Sequence, residues 1–335
     1  MTMPRFLAIF SIILFTIIGL IALFKEKPPQ IAGEIFPSIP IEIEIAPEKQ
    51  RLIPAPPPAP VSSKAPLQQV AQTFSPEIST PAARLPDVDR IDELFQKDDK
   101  KLPIVETVTY KSHVTWLKGR PAWLSDYAMH YQTSRHFIAR SLNGKTDYLT
   151  QEIKEGDRFN VLRKDIPFQF YLLVDTSRCE LRFYYINLET KERVLLKTYQ
   201  VGLGRIDSSK TSGLLTPLGK YTLGNRIMTY KPKLMGTYQG KKTEMITVFG
   251  TRWIPFDKEV GKCTAPSKGF GLHGTPWKVR GTGELADSKQ GIGNYESDGC
   301  IRLSTPDIEE LFAIIVTKPT VIDIVKNFSD ACFLN

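Results

Sequence analysis

A proline-rich stretch at residues 28–87 most strongly limits how this chain folds. It holds 14 of the 25 prolines and one glycine, and it has no Cys, Trp or Tyr. Proline fixes φ and removes a backbone donor, so we expect no packed core here. The pattern predicts an extended, semi-rigid linker between the segments on either side. A proline-rich ligand for a partner domain is the alternative interpretation.

The segment before the linker is strongly apolar. Residues 6–24 contain no charge over 19 positions, close to the roughly 20 residues with which a helix crosses a bilayer. No Ala-x-Ala-like site follows the run, which favours an uncleaved anchor over a cleaved signal peptide. We therefore predict a cytoplasmic tail and transmembrane anchor at residues 1–27, with a single pass through the cytoplasmic (inner) membrane.

Composition excludes several classes of protein. With 41% hydrophobic and 24% charged residues, neither a chain disordered throughout nor a multi-span membrane protein is expected. Four cysteines and four histidines, without a Cys-x-x-Cys pair, argue against a disulfide-dense miniprotein and a structural zinc site. The residues after the linker carry the whole net charge of +8, which suits an anionic polymer as partner. The motifs include no known nucleic-acid reader, so nucleic acid is not a predicted partner.

Residues 88–165 predict a small unit with the order strand, helix, helix, strand. Residues 114–117 suggest the first strand, and residues 123–131 place apolar side chains at helical spacing. Ser134 can cap a second helix that stops at Asn143-Gly144, and a short strand follows at residues 159–162.

This unit resembles a LysM module in three segments, at residues 124–128, 138–144 and 153–161. The usual opening Gly-Asp-Thr-Leu is absent, and Lys-Gly-Arg-Pro stands at residues 118–121 instead. The resemblance implies binding to N-acetylglucosamine-containing glycan strands such as those of peptidoglycan. A helical spacer packed on the next domain is the alternative.

From residue 166 the pattern changes to short strands. The β-rich runs lie at residues 171–175, 181–185, 195–202 and 216–223, and further apolar runs lie at 245–249 and 270–273. One clear helix follows at residues 304–312, with a Ser or Thr cap and a proline in its first turn. We predict a mostly β sandwich or barrel-like domain with few helices at residues 166–328.

Two motifs in this domain combine residues that support nucleophilic catalysis. One is Leu-His-Gly-Thr at residues 272–275, and the other is Ser-Asp-Gly-Cys-Ile-Arg-Leu at 297–303. Cysteine attacks as a thiolate, and His273 within reach of Cys300 could form a thiolate–imidazolium pair. Gly299 would let a substrate carbonyl approach closely, and Arg302 could anchor a carboxylate or fix the loop. Without further information, a buried structural cysteine remains the default interpretation of Cys300.

Residues 170–325 resemble the YkuD-type catalytic domain of L,D-transpeptidases. The resemblance rests on the two motifs above and on Thr-Pro-Leu-Gly-Lys-Tyr-Thr-Leu at residues 216–223. It implies that Cys300 is the nucleophile and His273 the base, with backbone groups near Gly274 orienting the base. Gly299 with Cys300 would line an oxyanion hole, and Ser297 and Arg302 would support the loop or bind substrate. It implies neither a metal nor an organic cofactor.

The resemblance also implies a substrate and a location. Such enzymes act on peptidoglycan stem peptides outside the cytoplasmic membrane, so the catalytic domain would lie in the periplasm or cell envelope. Cys300 would attack the third residue of a tetrapeptide stem, release D-alanine and pass the acyl group to an amine of another stem. Water as acceptor would give an L,D-carboxypeptidase instead. A catalytically idle wall-binding anchor is the alternative from another class.

Two departures from the family pattern stand out. Asp298 occupies a position where many members have His, and an acidic neighbour tends to raise the pKa of a thiol. About ten residues look inserted between His273 and Cys300, and glycines in this insert suit either a flexible lid or a surface loop. Of the other cysteines, Cys179 is expected in the core, whereas Cys263 could be exposed.

Overall fold

The computed structural model describes residues 88–148, 152–225 and 227–332. The predicted membrane anchor and the predicted linker lie outside these residues. Among the described residues, no helix has both the length and the apolar character needed to cross a membrane. All described residues fall in a single compact unit.

The first part of this unit contains a pair of strands and three helices. In chain order they are helix α1 (Asp92–Phe95), strand β1 (Val105–Thr109), helices α2 (Leu124–His130) and α3 (Arg135–Asn143), and strand β2 (Arg158–Leu162). Strands β1 and β2 are antiparallel, with Val105 opposite Leu162. The first strand therefore lies earlier than the expected position at residues 114–117, where Val114 and Leu117 form only an isolated bridge.

Helix α3 begins and ends where its sequence predicts. The Ser134 hydroxyl accepts a hydrogen bond from the backbone N–H of His136, which caps the first turn. Gly144 follows the helix with a φ of 76°, a left-handed conformation that glycine adopts without strain. The two predicted end signals are therefore confirmed.

The second part is built from many short strands and two helices. The helices are α4 (Ile246–Phe249) and α5 (Thr305–Ile315), and a 3-10 turn covers Phe328–Asp330. The strands are β3 (Phe168–Asp175), β4 (Glu180–Asn187), β5 (Arg193–Gln200), β6 (Leu203–Gly204), β7 (Gly219–Leu223), β8 (Met228–Thr229), β9 (Met235–Tyr238), β10 (Lys241–Glu244), β11 (Arg252–Val260), β12 (Gly271–Gly274), β13 (Trp277–Val279), β14 (Leu285–Asp287), β15 (Tyr295–Ser297), β16 (Ile301–Leu303) and β17 (Thr320–Val325).

One large sheet organises this part. Its order is β16-β12-β11-β7-β17-β3-β4-β5, and β8 pairs with β11 beside this path. The pairs β12–β16 and β17–β3 are parallel, and the other neighbours on the path are antiparallel. The predicted mostly β domain with few helices is confirmed. The apolar run at residues 245–249 forms the short helix α4. Ile246 and Phe249 are three residues apart, so one turn of helix places both side chains in the same buried aromatic cluster.

Both parts contribute to the main hydrophobic core. Leu94, Phe137 and Leu162 from the first part are buried in the same cluster as Phe170 and Phe183 from the sheet. The first part also has a smaller core of its own around Tyr127 and Phe159. Residues 88–90 extend the edge of the large sheet beside β5. Arg90 N–H donates to Leu196 O at 2.7 Å, and Thr198 N–H donates to Val88 O at 3.1 Å.

Buried charges also join the two parts. Arg252 at the start of β11 is 2% exposed and forms an ion pair with Asp147, which follows helix α3. Asp147 Oδ1 also lies 3.2 Å from His136 Nδ1, and Glu309 of α5 lies 3.6 Å from the Arg252 guanidinium. The first part is thus joined to strand β11, whose next residue, Trp253, lies opposite His273.

Candidate active site

The two predicted motifs meet on neighbouring parallel strands. In the β12–β16 register, Leu272 lies opposite Ile301 and His273 lies opposite Arg302. Cys300 immediately precedes β16. Because side chains alternate along extended backbone, Cys300, Arg302 and His273 project from the same face of this strand pair. The structure therefore brings the predicted nucleophile, base and arginine together.

His273 lies in an aromatic pocket and is 3% exposed. Its ring meets Phe249 edge-on at a centroid distance of 5.4 Å, and the Trp253 ring lies at 6.0 Å. Nδ1 is 2.7 Å from the carbonyl oxygen of Gly274. A carbonyl oxygen only accepts hydrogen bonds, so Nδ1 carries the proton and Nε2 keeps its lone pair. This contact provides the backbone orientation of His273 that was expected near Gly274.

The pocket holds His273 in its neutral form. Burial lowers the pKa of the imidazole to about 3, and the nearby positive charge of Arg302 acts in the same direction. The carbonyl oxygens of Gly274 and Phe249 oppose this shift, because they favour the protonated ring. At neutral pH the imidazole is therefore unprotonated, and its Nε2 lone pair is free to accept a proton.

Cys300 is half-buried at the edge of the same pocket, against the cluster that contains Phe249 and Trp253. Its Sγ lies 3.7 Å from the carbonyl oxygen of Gly269. Burial raises the pKa of the Cys300 thiol to about 12, although the backbone N–H of Gly271 and the charge of Arg302 stabilise the thiolate. Asp298 adds a smaller contribution that raises this pKa further.

The resting site is thus a thiol beside a neutral imidazole. Among the described residues, no hydrogen bond joins Cys300 Sγ to His273. Burial disfavours both charged forms, which opposes the thiolate–imidazolium pair suggested by the sequence. If Cys300 attacks a substrate, proton transfer would have to accompany the attack, when the negative charge moves on to the substrate oxygen.

The loop before Cys300 depends on Gly299 and Ser297. Gly299 has a φ of 119°, and a Cβ there would lie 2.6 Å from a ring carbon of Phe270. Ser297 is 1% exposed, and its hydroxyl accepts a hydrogen bond from Gly299 N–H and donates one to Cys300 O. Ser297 therefore supports the loop from inside, and its role in binding substrate stays a prediction.

The predicted oxyanion hole is only partly open in this arrangement. Gly299 N–H already donates to Ser297 Oγ at 3.1 Å. The backbone N–H of Cys300, by contrast, has no hydrogen-bond partner among the residues that the structure describes. Gly271 N–H points at the sulfur. The N–H groups of Cys300 and Gly271 are therefore candidate backbone donors for an oxyanion.

Arg302 forms no ion pair with any other described residue. Its Nε is buried and lacks a hydrogen-bond partner, and within residues 88–148, 152–225 and 227–332 no carboxylate pairs with its guanidinium. Asp298, in contrast, pairs with Arg205 at 2.7 Å on the surface, where both side chains are more than half exposed. The acidic neighbour of Cys300 is thus already neutralised in part.

Sequence reasoning missed several residues of the site. Phe249, Trp253 and Trp277 belong to the aromatic cluster against which Cys300 packs. Tyr238 of the β9–β10 hairpin lies close enough for Asp298, Cys300 and Arg302 to influence its pKa. Trp277 follows the Leu-His-Gly-Thr motif closely, whereas Tyr238, Phe249 and Trp253 lie well before it along the chain. Aromatic character is the sequence signal that these residues share. The described residues also contain no group of three or more His, Cys, Asp or Glu side chains that could hold a metal ion.

The other cysteines lie apart from this chemistry. Cys179 is buried in the main core, as expected, and Cys263 is half-buried. Cys332 is exposed near the end of the described chain. All four cysteines, including Cys300, are free thiols.

The candidate site lies in a segment that matches a known protein family. Residues 169–324 match the YkuD family, the L,D-transpeptidase catalytic domain. Both motifs, with Cys300 and His273, fall inside the match. This part of the chain is therefore a YkuD-type L,D-transpeptidase catalytic domain.

Two solved structures share low similarity with the chain. Bd1075 of Bdellovibrio bacteriovorus is 17% identical with a TM-score of 0.32, and 48% of each chain is covered. The helical cell shape determining protein Pgp2 of Campylobacter jejuni is 18% identical with a TM-score of 0.31, again covering 48% of each chain. The chain thus spans about half the length of the structures it matches. No curated protein matches the chain.

Proposed function

We propose that this chain is a peptidoglycan L,D-transpeptidase in which Cys300 is the nucleophile and His273 the base. One observation carries the proposal. A partly accessible thiol and a neutral, buried imidazole of fixed tautomer share one face of the strand pair β12–β16, inside a YkuD catalytic domain. Nucleophilic acyl transfer needs such a pair, with the base oriented by a third group.

The first half-reaction follows from the protonation states. Cys300 Sγ attacks the carbonyl of the third stem residue and passes its proton to Nε2 of His273. The N–H groups of Cys300 and Gly271 then stabilise the developing oxyanion. His273 gives the proton to the departing amine, the C–N bond breaks, and D-alanine leaves behind a thioester on Cys300.

The second half-reaction reverses these roles. An amine from another stem peptide attacks the thioester, and its proton passes through His273 to Cys300 Sγ as the C–S bond breaks. The product is a cross-link and a free thiol. If water attacks instead, the same steps give an L,D-carboxypeptidase, so the acceptor alone separates these activities.

Arg302 supports an anionic substrate. Its guanidinium lies on the reacting face without a carboxylate partner in the described chain. A stem peptide carries free carboxylates, and arginine binds such groups with paired N–H donors. Arg302 therefore serves as the carboxylate anchor.

We also propose where the enzyme works. The apolar segment at residues 6–24 would hold it in the cytoplasmic membrane, and the proline-rich residues 28–87 would hold the catalytic part away from the bilayer in the cell envelope. The LysM-like unit at residues 88–165 would bind glycan strands. The sequence patterns support these proposals.

The decisive experiment supplies the purified full chain in detergent with disaccharide-tetrapeptides. Mass spectrometry should detect D-alanine together with cross-linked dimers. Cys300→Ser should lower the rate of D-alanine release at least about 10³-fold, since a serine hydroxyl forms the nucleophilic anion far less readily than a thiol. Cys332→Ser, at an exposed cysteine, is the matched control and should match wild type.

The products separate the alternatives. D-alanine with tripeptides but no dimers would identify a carboxypeptidase. Absence of D-alanine release under all acceptor conditions, with wall binding retained, would identify an idle anchor. Full turnover by Cys300→Ser would overturn the assignment of the nucleophile.

A further inference from the structure

The insert between His273 and Cys300 is an ordered hairpin. Strands β13 and β14 pair antiparallel, with Trp277 opposite Asp287 at the base of the hairpin. The Ser288 hydroxyl donates to Pro276 O at 2.8 Å and closes the base again. The insert is therefore neither a structureless lid nor a loop without contacts.

Asp287 connects the base of this hairpin to two neighbouring elements. Its Oδ1 accepts hydrogen bonds from the Thr275 hydroxyl and from Lys289 N–H, the latter at 2.8 Å. Its Oδ2 accepts one from the N–H of Thr305, the first residue of α5, at 3.2 Å. Burial opposes ionisation, but these hydrogen bonds outweigh it and lower the pKa of Asp287. Asp287 is thus ionised at neutral pH.

Thr275 is one residue beyond the carbonyl that orients the base. It is completely buried, and its N–H donates to Leu303 O at 2.9 Å. The preceding peptide carries Gly274 O, which accepts the Nδ1 proton of His273. The contacts therefore form one continuous path from Asp287 through Thr275 and Gly274 O to the imidazole.

Trp277 adds a second contact from the same hairpin. Its Nε1 lies 3.3 Å from the Thr305 hydroxyl, and its ring packs against the aromatic cluster that also contacts Cys300. The hairpin thus holds a wall of the pocket as well as the peptide next to the base.

We propose that Asp287 is a positioning residue for His273 that acts through Thr275 and the carbonyl of Gly274. No carboxylate touches the His273 ring among the described residues, so the negative charge that often orients a catalytic imidazole stands one hydrogen-bonded residue away. This inference rests on the proposed function for the role of the base, but the placement of the imidazole can be measured without any substrate.

The matched pair Thr275→Val and Thr275→Ser tests the path. Valine has nearly the shape of threonine but removes the hydroxyl that binds Asp287, whereas serine keeps it. Thr275→Val should lower kcat for D-alanine release by about 10- to 100-fold, as expected for a misplaced reacting group. KM should stay unchanged, because no substrate contact is lost. Thr275→Ser should retain most of the wild-type kcat.

A double-mutant cycle asks whether the effect passes through His273. In a His273→Ala background, Thr275→Val should cause no further loss of the residual activity. Equal losses in both backgrounds would overturn the proposal, because Thr275 would then act independently of the base.

A spectroscopic readout separates this inference from the proposed function. The chain has four histidines, so ¹⁵N-histidine NMR can resolve the His273 ring. Wild type should show the Nδ1–H tautomer, and both Thr275→Val and Asp287→Asn should add the Nε2–H form or speed exchange of the Nδ1 proton. An unchanged spectrum in both variants would overturn the proposal. If wild type releases no D-alanine, the proposed function fails while this spectrum still decides the positioning.

Discussion

Two clusters of buried ionisable groups, one around Arg252 of β11 and one around Cys300 and His273, differ in how burial is compensated. Around Arg252, charges are paired: Asp147 and Glu309 meet the guanidinium, and hydrogen bonding to His136 and the charge of Arg252 lower the pKa of Asp147 to about 2. Around Cys300, burial raises the pKa of the thiol to about 12 and lowers that of His273 to about 3.

The difference shows that burial alone does not decide the charge state. With an opposite charge in contact, a buried group stays ionised and joins two structural elements. Where no opposite charge is in contact, as at Cys300 and His273, the thiol and the imidazole are both neutral and form no ion pair. The paired cluster is suited to stability, whereas the unpaired cluster rests uncharged, with its proton on the Cys300 thiol. The following experiments challenge this contrast.

The largest effect is expected on turnover from the unpaired cluster. His273→Ala should slow D-alanine release by about 10²- to 10⁴-fold, the usual contribution of a positioned base. Alkylation of Cys300 by iodoacetamide should change far less, because the resting thiol does not depend on an imidazolium. Equal losses in both assays would show that a thiolate–imidazolium pair exists at rest.

The paired cluster should respond in stability. Asp147→Ala leaves Arg252 with Glu309 alone, and removing one partner of a buried pair costs about 3–5 kcal/mol of unfolding free energy. Urea unfolding of the full chain measures it. Asp165→Asn, which breaks the exposed pair with Arg163, is the control and should cost less than about 1 kcal/mol.

The pH dependence of this effect has a definite sign. The pKa of Asp147 is lowered from 3.8 to about 2 in the folded chain, so its stabilisation is complete above about pH 4 and is lost as the pH falls towards 2. The gap between wild type and Asp147→Ala should narrow over that range. A gap that stays constant down to pH 2 would contradict the role of the charge.

A smaller effect concerns the pH profile of Cys300. Because its pKa is raised to about 12, the thiolate fraction should rise about tenfold per pH unit, or about 100-fold from pH 7 to 9. The alkylation rate measures this rise. A plateau near neutral pH would place the thiol among paired groups and remove the contrast.

The smallest effect concerns the exposed neighbour of the nucleophile. Asp298→Asn removes a negative charge that raises the pKa of Cys300, so alkylation at pH 7 should become faster. The pair with Arg205 is exposed, so the change should stay below about threefold. Arg205→Gln is the matched opposite and should slow alkylation slightly. A large change in either variant would mean that solvent does not screen this pair.

Local signals in the sequence predicted local structure well. Ser134 and Gly144 mark the ends of α3, because capping and left-handed backbone depend on single residues. The β-rich runs at residues 171–175 and 181–185 predicted strands β3 and β4. The assignment of Cys300 and His273 as nucleophile and base came from family resemblance and stays a prediction. Helix α4 was missed, because a run of four or five apolar residues does not distinguish a buried strand from a buried turn of helix.

Features that depend on distant register were beyond the sequence. The pair Arg252–Asp147 joins positions 105 residues apart, and no local pattern sets that contact. The use of Gly299 N–H by Ser297, rather than by an oxyanion, depends on how one turn closes. The neutral state of Cys300 and His273 depends on burial among aromatic rings from distant segments, such as Phe249 of α4 and Trp253 of β11.

The added edge at β5 has a mechanical consequence. A pull applied to the chain at Val88 acts first on the backbone hydrogen bonds to Leu196 and Thr198 and on the contact between Asp89 and Lys197, where Nζ and Oδ2 are 3.1 Å apart. The buried side chain of Ile91 resists next. Strands β12 and β16 lie at the opposite end of the sheet order, so tension enters the fold at the edge farthest in strand order from Cys300.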